Sequence, residues 1–436
     1  MNCPIHAGAV TRRFPRRTLA LVTLLTLGTG VHATNGYSPI GFGTTNKGMA
    51  GVGVALPQDA LTSATNPAGV VHLANQLDVG LALFMPNRGF TANDYTDPDP
   101  FTPPQSILPG SYNSDIDLFL IPSVGYIRHI DAASTLSVAL SGNGGMNTEY
   151  DAAVWSNFGP ASSPTGVDLA QVFLGVTYAR KLDPTHAVGI MPILAFQRFK
   201  AEGLEPFRML SVSPDHVTNN GYDTSWGYGA RIGWLGNFDG GWRAGASYQT
   251  KLQMEAFDDY RGLFADGGNF DVPSTLVGGV SYAVNPSVTI AFDWQRIFYS
   301  DVKSLHNSNA TPLTSPANFL GARDGLGFGW DDIDIFKLGV QWVRSPVWTY
   351  RAGISHASQL FDNGESLFNV LAPATVRTHA SLGLTYRPNP KHAIQAAYTR
   401  AFNERISGDN PAFTGGQTGF VEMDQHEIEV SWSYRF

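Results

Sequence analysis

The sequence holds a single cysteine, Cys3, and it lies ahead of an apolar run near the amino terminus. A disulfide scaffold, a thiolate metal site and a cysteine nucleophile are thereby excluded from the exported part of the chain. Charge is scarce as well: 15% of residues are charged, and the formal net charge is −8. Nucleic-acid phosphates are bound by basic surfaces, so this acidic chain is not expected to bind nucleic acid. No apolar stretch approaches the roughly 20 residues of a membrane-spanning helix. What is plentiful is glycine, with 47 residues, and aromatic side chains, at 12%. That combination suits a membrane β-barrel, whose alternating strands never register as long hydrophobic runs.

Residues 1–33 read as a secretory signal peptide. Arg12, Arg13, Arg16 and Arg17 precede an apolar run from Leu19 to Leu27, and Val31-His32-Ala33 fits a small-residue cleavage site near Ala33. The segment carries four Arg and no acid, so its removal takes the formal charge from −8 to −12. At the other end, Ile428, Val430, Trp432, Tyr434 and Phe436 share one face, while Glu427, Glu429, Ser431, Ser433 and Arg435 share the other. This period-2 alternation is that of a strand with lipid on one side and a polar lumen on the other.

Between the ends, tight turns alternate with long loops. The short connections are Ile130-Asp131-Ala132-Ala133, Leu182-Asp183-Pro184-Thr185, Phe238-Asp239-Gly240-Gly241, Asn285-Pro286-Ser287, Arg344-Ser345-Pro346 and Pro388-Asn389-Pro390-Lys391. All carry turn chemistry. Long connections cover roughly 85–114, 147–166, 200–222, 257–271, 300–331, 357–376 and 403–422. Six turns and seven loops join fourteen strands, at about 76–84, 115–128, 134–146, 167–179, 186–199, 223–234, 242–256, 272–283, 288–299, 332–343, 348–356, 377–387, 393–402 and 423–436. The expected fold is all-β, a 14-stranded antiparallel transmembrane barrel over 76–436 in the bacterial outer membrane, with turns periplasmic and loops outside. A propeller also has many short strands, but no blade-length repeat is visible.

Residues 34–75 are too long for a linker and do not read as a strand. They are expected to form a plug within the lumen, faced by the inward Glu427, Glu429 and Arg435. The order Asn35-Gly36-Tyr37, Gly48-Met49-Ala50-Gly51-Val52-Gly53-Val54-Ala55-Leu56-Pro57-Gln58-Asp59 and Asn66-Pro67-Ala68-Gly69 resembles the amino-terminal hatch of the FadL-type long-chain fatty-acid transporters, whose branches include uptake proteins for toluene-like aromatics. Gly144-Gly145-Met146-Asn147-Thr148 is similar to this family too.

The resemblance implies uptake of a hydrophobic molecule through a plugged barrel, with Asn66, Pro67 and Ala68 as the hatch element and a lateral gap at the third strand. The glycine cluster Gly142, Asn143, Gly144 and Gly145 permits a bulge there, although it also fits a strand that simply ends in a loop. Strands two and five are apolar on both faces, so Phe119, Ile121, Met191 and Ile193 are candidates to contact cargo or to pack on the plug. A fatty-acid carboxylate would require a cation, and Arg231, Arg243, Lys251 and Lys337 lie on inward faces. An aromatic hydrocarbon would not. Phe84-Met85-Pro86, Phe257 with Tyr260, and Leu263-Phe264 are expected to form an external apolar landing patch.

The expected partners are the hydrophobic cargo and outer-membrane lipids, with no cofactor, no metal and a monomeric state. Two other functions are weighed: a general water-filled porin and an outer-membrane hydrolase. For the latter, His426 and Glu427 point to opposite faces, and His379 with Ser381 lacks an orienting third group.

Overall fold

A computed structural model of the protein describes residues 34–95, 106–313, 315–409 and 416–436. The expected signal segment, with Cys3 and the cleavage position at Ala33, lies outside them. Fourteen long strands form the wall: β1 Gln76–Ala92, β2 Phe119–His129, β3 Ser134–Tyr150, β4 Thr165–Lys181, β5 His186–Glu202, β6 Asp223–Asn237, β7 Trp242–Gln249, β8 Ser274–Asn285, β9 Val288–Phe298, β10 Ile333–Val343, β11 Trp348–Ala357, β12 Thr378–Asn389, β13 His392–Asp409 and β14 Thr418–Arg435. Each pairs antiparallel with the next, and β14 pairs with β1 from Gly419↔Ala92 to Arg435↔Gln76, which closes the ring. Two short strands extend it, Gly110–Asn113 beside β1 and Gln253–Met254 beside β6.

The two faces of the wall follow the alternation. Phe336, Leu338, Val340 and Trp342 of β10 stand out toward lipid, as do Ile428, Val430 and Trp432 of β14, while Lys337, Glu427, Glu429 and Ser431 are buried inside. The periplasmic turns are closed by side chains that do the work of a missing backbone acceptor. Asp131 Oδ1 accepts from Ala133 N and Ser134 N at 2.7 and 2.8 Å, and Asp183 Oδ1 from Thr185 N and His186 N at 2.8 and 2.7 Å. These amide donors hold both carboxyls below the usual carboxylate range. Asn285, Ser345 and Asn389 make the same paired acceptance at three of the other four turns.

Two expectations need correction. Several strands run beyond their expected ends, β1 to Ala92, β3 to Tyr150 and β13 to Asp409, because ladder hydrogen bonding continues outward after the apolar face has stopped. The landing patch is not external. Phe84, Met85 and Pro86 lie within β1, with Phe84 buried, and Phe257, Tyr260, Leu263 and Phe264 are buried in one aromatic core with Trp155, Phe199, Phe207, Tyr299 and Trp330. The connections outside the membrane therefore fold over the barrel and bury their own apolar side chains.

Leu338 sits at the centre of β10 and faces lipid. Leu338→Arg is expected to destabilise the barrel by about 2–4 kcal/mol, whereas Leu338→Phe, which keeps the lipid face apolar, is expected to change its stability little. Urea unfolding in lipid vesicles measures both.

Candidate functional site

Residues 34–75 run down the inside of the ring. At the outer end Tyr37 packs edge-on to Tyr299 with ring centroids 5.9 Å apart, and Tyr299 Oη donates to Asn35 O at 2.6 Å. At the inner end the 3₁₀ turn Pro67–His72 leads to Leu73, whose carbonyl lies 2.7 Å from His129 Nε2. The hatch fits because wall glycines face it. A methyl group on Gly353 of β11 would stand 2.3 Å from the Met49 carbonyl carbon, and one on Gly245 of β7 would stand 2.3 Å from Val54 O. Only glycine allows backbone to approach backbone so closely.

Charge then fixes the hatch in register. Lys47 reaches both inward carboxylates of β14, contacting Glu427 and lying 2.6 Å from Glu429 Oε2, and Thr44 Oγ1 donates to Glu429 at 2.8 Å. Asp293 of β9 accepts Gly53 N and Val54 N at 2.7 and 3.0 Å. Asp78 of β1 accepts Ala60 N at 2.5 Å, and Arg351 of β11 donates to Gln58 Oε1 at 2.5 Å. Asn66 is fully buried: its Nδ2 donates to Val54 O and Trp234 O at 2.8 and 2.9 Å, and its Oδ1 accepts Ala68 N at 3.1 Å, so it caps the Pro67–His72 turn.

Among the described residues the wall has one long break in its pairing. The β2–β3 ladder runs from His129↔Thr135 only as far as Val124↔Leu140. Bonding between the two segments resumes where Asp115 N donates to Glu149 O at 2.9 Å. Between these points Phe119–Ser123 pairs with β1 alone and Ser141–Thr148 with β4 alone. A register shift between Gly142 and Gly144 places Asn143 as a bulge, and Asn143 Nδ2 donates to Gln171 Oε1 at 2.9 Å. Gly144 has φ 153°, and a methyl there would stand 1.8 Å from Tyr37 O, so the bulge presses on the hatch. Pro122, which can give no ladder N–H, lies in the unpaired stretch of β2.

The other candidate residues fall into separate groups. Phe119 and Ile121 pack with Ile40, Ala50 and Phe84, thus against the hatch. Met191 and Ile193 join Phe173, Leu252, Met254 and Val272 in a second inner cluster. Arg231 and Lys337 line one cavity of about 40 Å³ together with Asn143, Gln249, Thr275 and Gln295 of the wall and Ser38–Phe42 of the hatch. Lys337 Nζ donates to Ile40 O at 2.8 Å, and Arg231 donates to Thr65 O at 3.2 Å and Gln249 Oε1 at 2.5 Å, while its buried Nε has no hydrogen-bond partner. Arg243 and Lys251 stand apart. Arg243 is exposed at the first turn of β7, and Lys251, 3.1 Å from Asp271, lies past the end of that strand. His379 Nδ1 lies 3.4 Å from Ser355 Oγ, and Ser381 Oγ lies 2.9 Å from Thr399 Oγ1.

Lys47, Asp78 and Asp293 escaped the reading of the sequence as site residues. A signal was present: Lys47 is the one Lys or Arg between 34 and 75, opposite two inward acids on β14. Lys47→Met is expected to cost about 3–5 kcal/mol, because it leaves two carboxylates buried side by side. Adding Glu427→Gln and Glu429→Gln is expected to recover most of that loss in chemical denaturation.

The chain is similar to the long-chain fatty acid transport protein of Escherichia coli, at 21% identity over 332 residues, covering 68% of this chain and 71% of that one. Among solved structures it resembles the Pseudomonas putida toluene transporter TodX, at 16% identity, TM-score 0.68, and coverage of 91% and 99%. A Pseudomonas aeruginosa FadL homologue gives 15% identity, TM-score 0.69, and coverage of 92% and 100%. At such identities the solved structures speak for the fold alone. The profile of the outer membrane protein transport proteins (OMPP1/FadL/TodX) matches residues 25–436, and the chain belongs to that family of transporters.

Proposed function

We propose that this protein takes up a hydrophobic molecule with an anionic head group, of the fatty-acid type, and releases it sideways between β2 and β3. The observation that carries the reading is the unpaired stretch between Val124↔Leu140 and the Asp115–Glu149 bond. In hydrocarbon, each unsatisfied backbone polar group costs several kcal/mol, so irregular backbone at membrane depth belongs where it lines a cavity. Leu118 and Leu120 beside the gap are 58% and 51% exposed, which gives a lipophilic cargo an apolar sill. On the inner side the bulge at Asn143 opens onto the cavity that holds Arg231 and Lys337.

The head-group assignment rests on those two cations. They converge on one cavity next to the bulge, and a guanidinium with an open Nε is a donor that a carboxylate would satisfy. The similarity to the E. coli long-chain fatty acid transport protein agrees with it. Asn66, Pro67 and Ala68 would act below, as the turn whose opening or closing governs whether the lumen is sealed toward the periplasm. A freely conducting porin is disfavoured, since hatch backbone and side chains occupy the lumen from Tyr37 to His72.

Three experiments test the reading. A Pro122→Cys/Gly142→Cys pair, next to the last paired residues, is expected to block uptake of a fluorescent fatty acid when oxidised and to restore it on reduction. Uptake unchanged by the closed bond would refute lateral release. Arg231→Ala with Lys337→Ala is expected to weaken fatty-acid retention by about tenfold or more, the loss of a charge-assisted contact, while leaving toluene uptake intact. Equal uptake of both compounds by wild type and variant would favour a neutral hydrocarbon cargo. Rapid equilibration of hydrophilic sugars in vesicles would favour the porin.

A further inference from the structure

The acids of the periplasmic turns lie in one sector. Around β2–β7 the turns carry Asp131, Asp183 and Asp239 beside Arg128, Arg180, Lys181 and Arg243, whereas around β8–β13 the turn residues are the neutral Asn285, Ser345 and Asn389. The two-amide acceptance made by Asp131 and Asp183 is thus made without a carboxylate in the second sector. That sector also holds Arg344, Arg351, Arg387, Lys391 and Arg435, and residues 338–351, 383–396 and 430–436 contain no Asp or Glu. Arg351 is buried and donates to Gln58, Gln341 and Thr385, while among the described residues Arg344, Arg387, Lys391 and Arg435 form no ion pair. In a chain of net charge −8, these four cations on one stretch of the rim form a local inversion of sign.

We propose that this sector docks an acidic segment of a periplasmic protein. Arg387 and Arg435 fall on the inward register of β12 and β14, with Thr385 and Ser433, while Lys391 stands exposed at the turn between β12 and β13. Inward side chains in the barrel mouth face away from the bilayer, so a lipid head group cannot engage all of them, but an extended acidic peptide crossing the turn can. Arg344 faces outward over the Trp342 ring at 5.6 Å and marks the lipid-side limit of the surface. Arg351, the deepest of the row, donates to Gln58 of the hatch. The docked partner therefore sits directly beneath the hatch, away from the gap between β2 and β3.

The probe is a fluorescein-labelled deca-glutamate peptide, followed by anisotropy with the full-length protein in nanodiscs of zwitterionic lipid. Binding is expected at about 0.05 M salt and is expected to fall by at least about tenfold at about 0.5 M, where exposed charges are screened. Arg387→Glu with Lys391→Glu and Arg435→Glu is expected to abolish it, and Arg180→Glu, exposed on β4 in the other sector, to leave it unchanged. Heat-dependent mobility on gels checks that each barrel is folded, and the single exposed Lys391→Glu gives a smaller loss of the same sign should the triple variant misfold. Equal binding by the triple variant and the Arg180→Glu control would overturn the proposal. So would selective capture of phosphatidylglycerol that depends on Arg344 without any peptide binding, which would assign the surface to lipid.

Discussion

A strand wall in hydrocarbon has no water to which a spare amide can turn, so its ladder must be complete wherever lipid touches it, and the rest of this structure is arranged around that requirement. It explains why β14 must find β1, and why their pairing extends the full length of both strands. It also gives the break between β2 and β3 its weight. The break is framed by pairing on both sides, contains the one proline of β2, and coincides with the Asn143 bulge on the facing strand. It spans the first residues of β2, Phe119–Ser123, and beyond them the backbone bond from Asp115 N to Glu149 O joins the two segments again.

A closed ring of fourteen strands creates a second difficulty, an interior that must be filled without stranding polar groups. The hatch meets it with backbone more than with side chains. Gly48 abuts Gly383, Met49 abuts Gly353 and Val54 abuts Gly245, so peptide groups lie against the wall where Cβ atoms would otherwise hold them off. Peptide N–H groups brought that close need acceptors, and inward carboxylates provide them: Asp293 for Gly53 and Val54, Asp78 for Ala60. Burying those carboxylates is costly unless their lone pairs are used, and the hatch amides use Oδ2 of each, while Oδ1 of Asp78 and of Asp293 has no hydrogen-bond partner among the described residues. Wall acids and hatch backbone are thus complementary, and neither would be tolerable at this depth without the other.

How much of this was legible in the sequence depends on the range of the interaction concerned. The strands and turns were readable because both are local: the alternation in Ile428, Val430 and Trp432 and the turn chemistry of Asn389 or Asp131 need no knowledge of distant residues. Inward placement of Lys337, Glu427 and Glu429 followed from the same period. What could not be read was which hatch atom each would meet, since Lys47 and Glu427 are joined only by the winding of residues 34–75 through the closed ring. The aromatic residues outside the membrane misled for a related reason. Phe257, Tyr260 and Phe264 occur in connections that look like exposed loops one at a time, but they pack with Phe199 and Phe270 into a common core that no single segment announces.

The distribution of hatch contacts around the ring is uneven in a way that bears on motion. Its charged contacts are to β1 through Asp78, to β6 through Arg231, to β9 and β10 through Asp293 and Lys337, to β11 through Arg351, and to β14 through Glu427 and Glu429. Along β2–β5 the described contacts are of another kind: Ser137 Oγ with Ser63 Oγ at 3.5 Å, the His129 ring with Leu73 O, and glycines 125, 144 and 189 against hatch backbone. Separating neutral groups that water can replace costs far less than exposing one member of a buried ion pair. A displacement of the hatch is therefore cheapest on the side facing β2–β5, and that is the side on which the β2–β3 ladder is open.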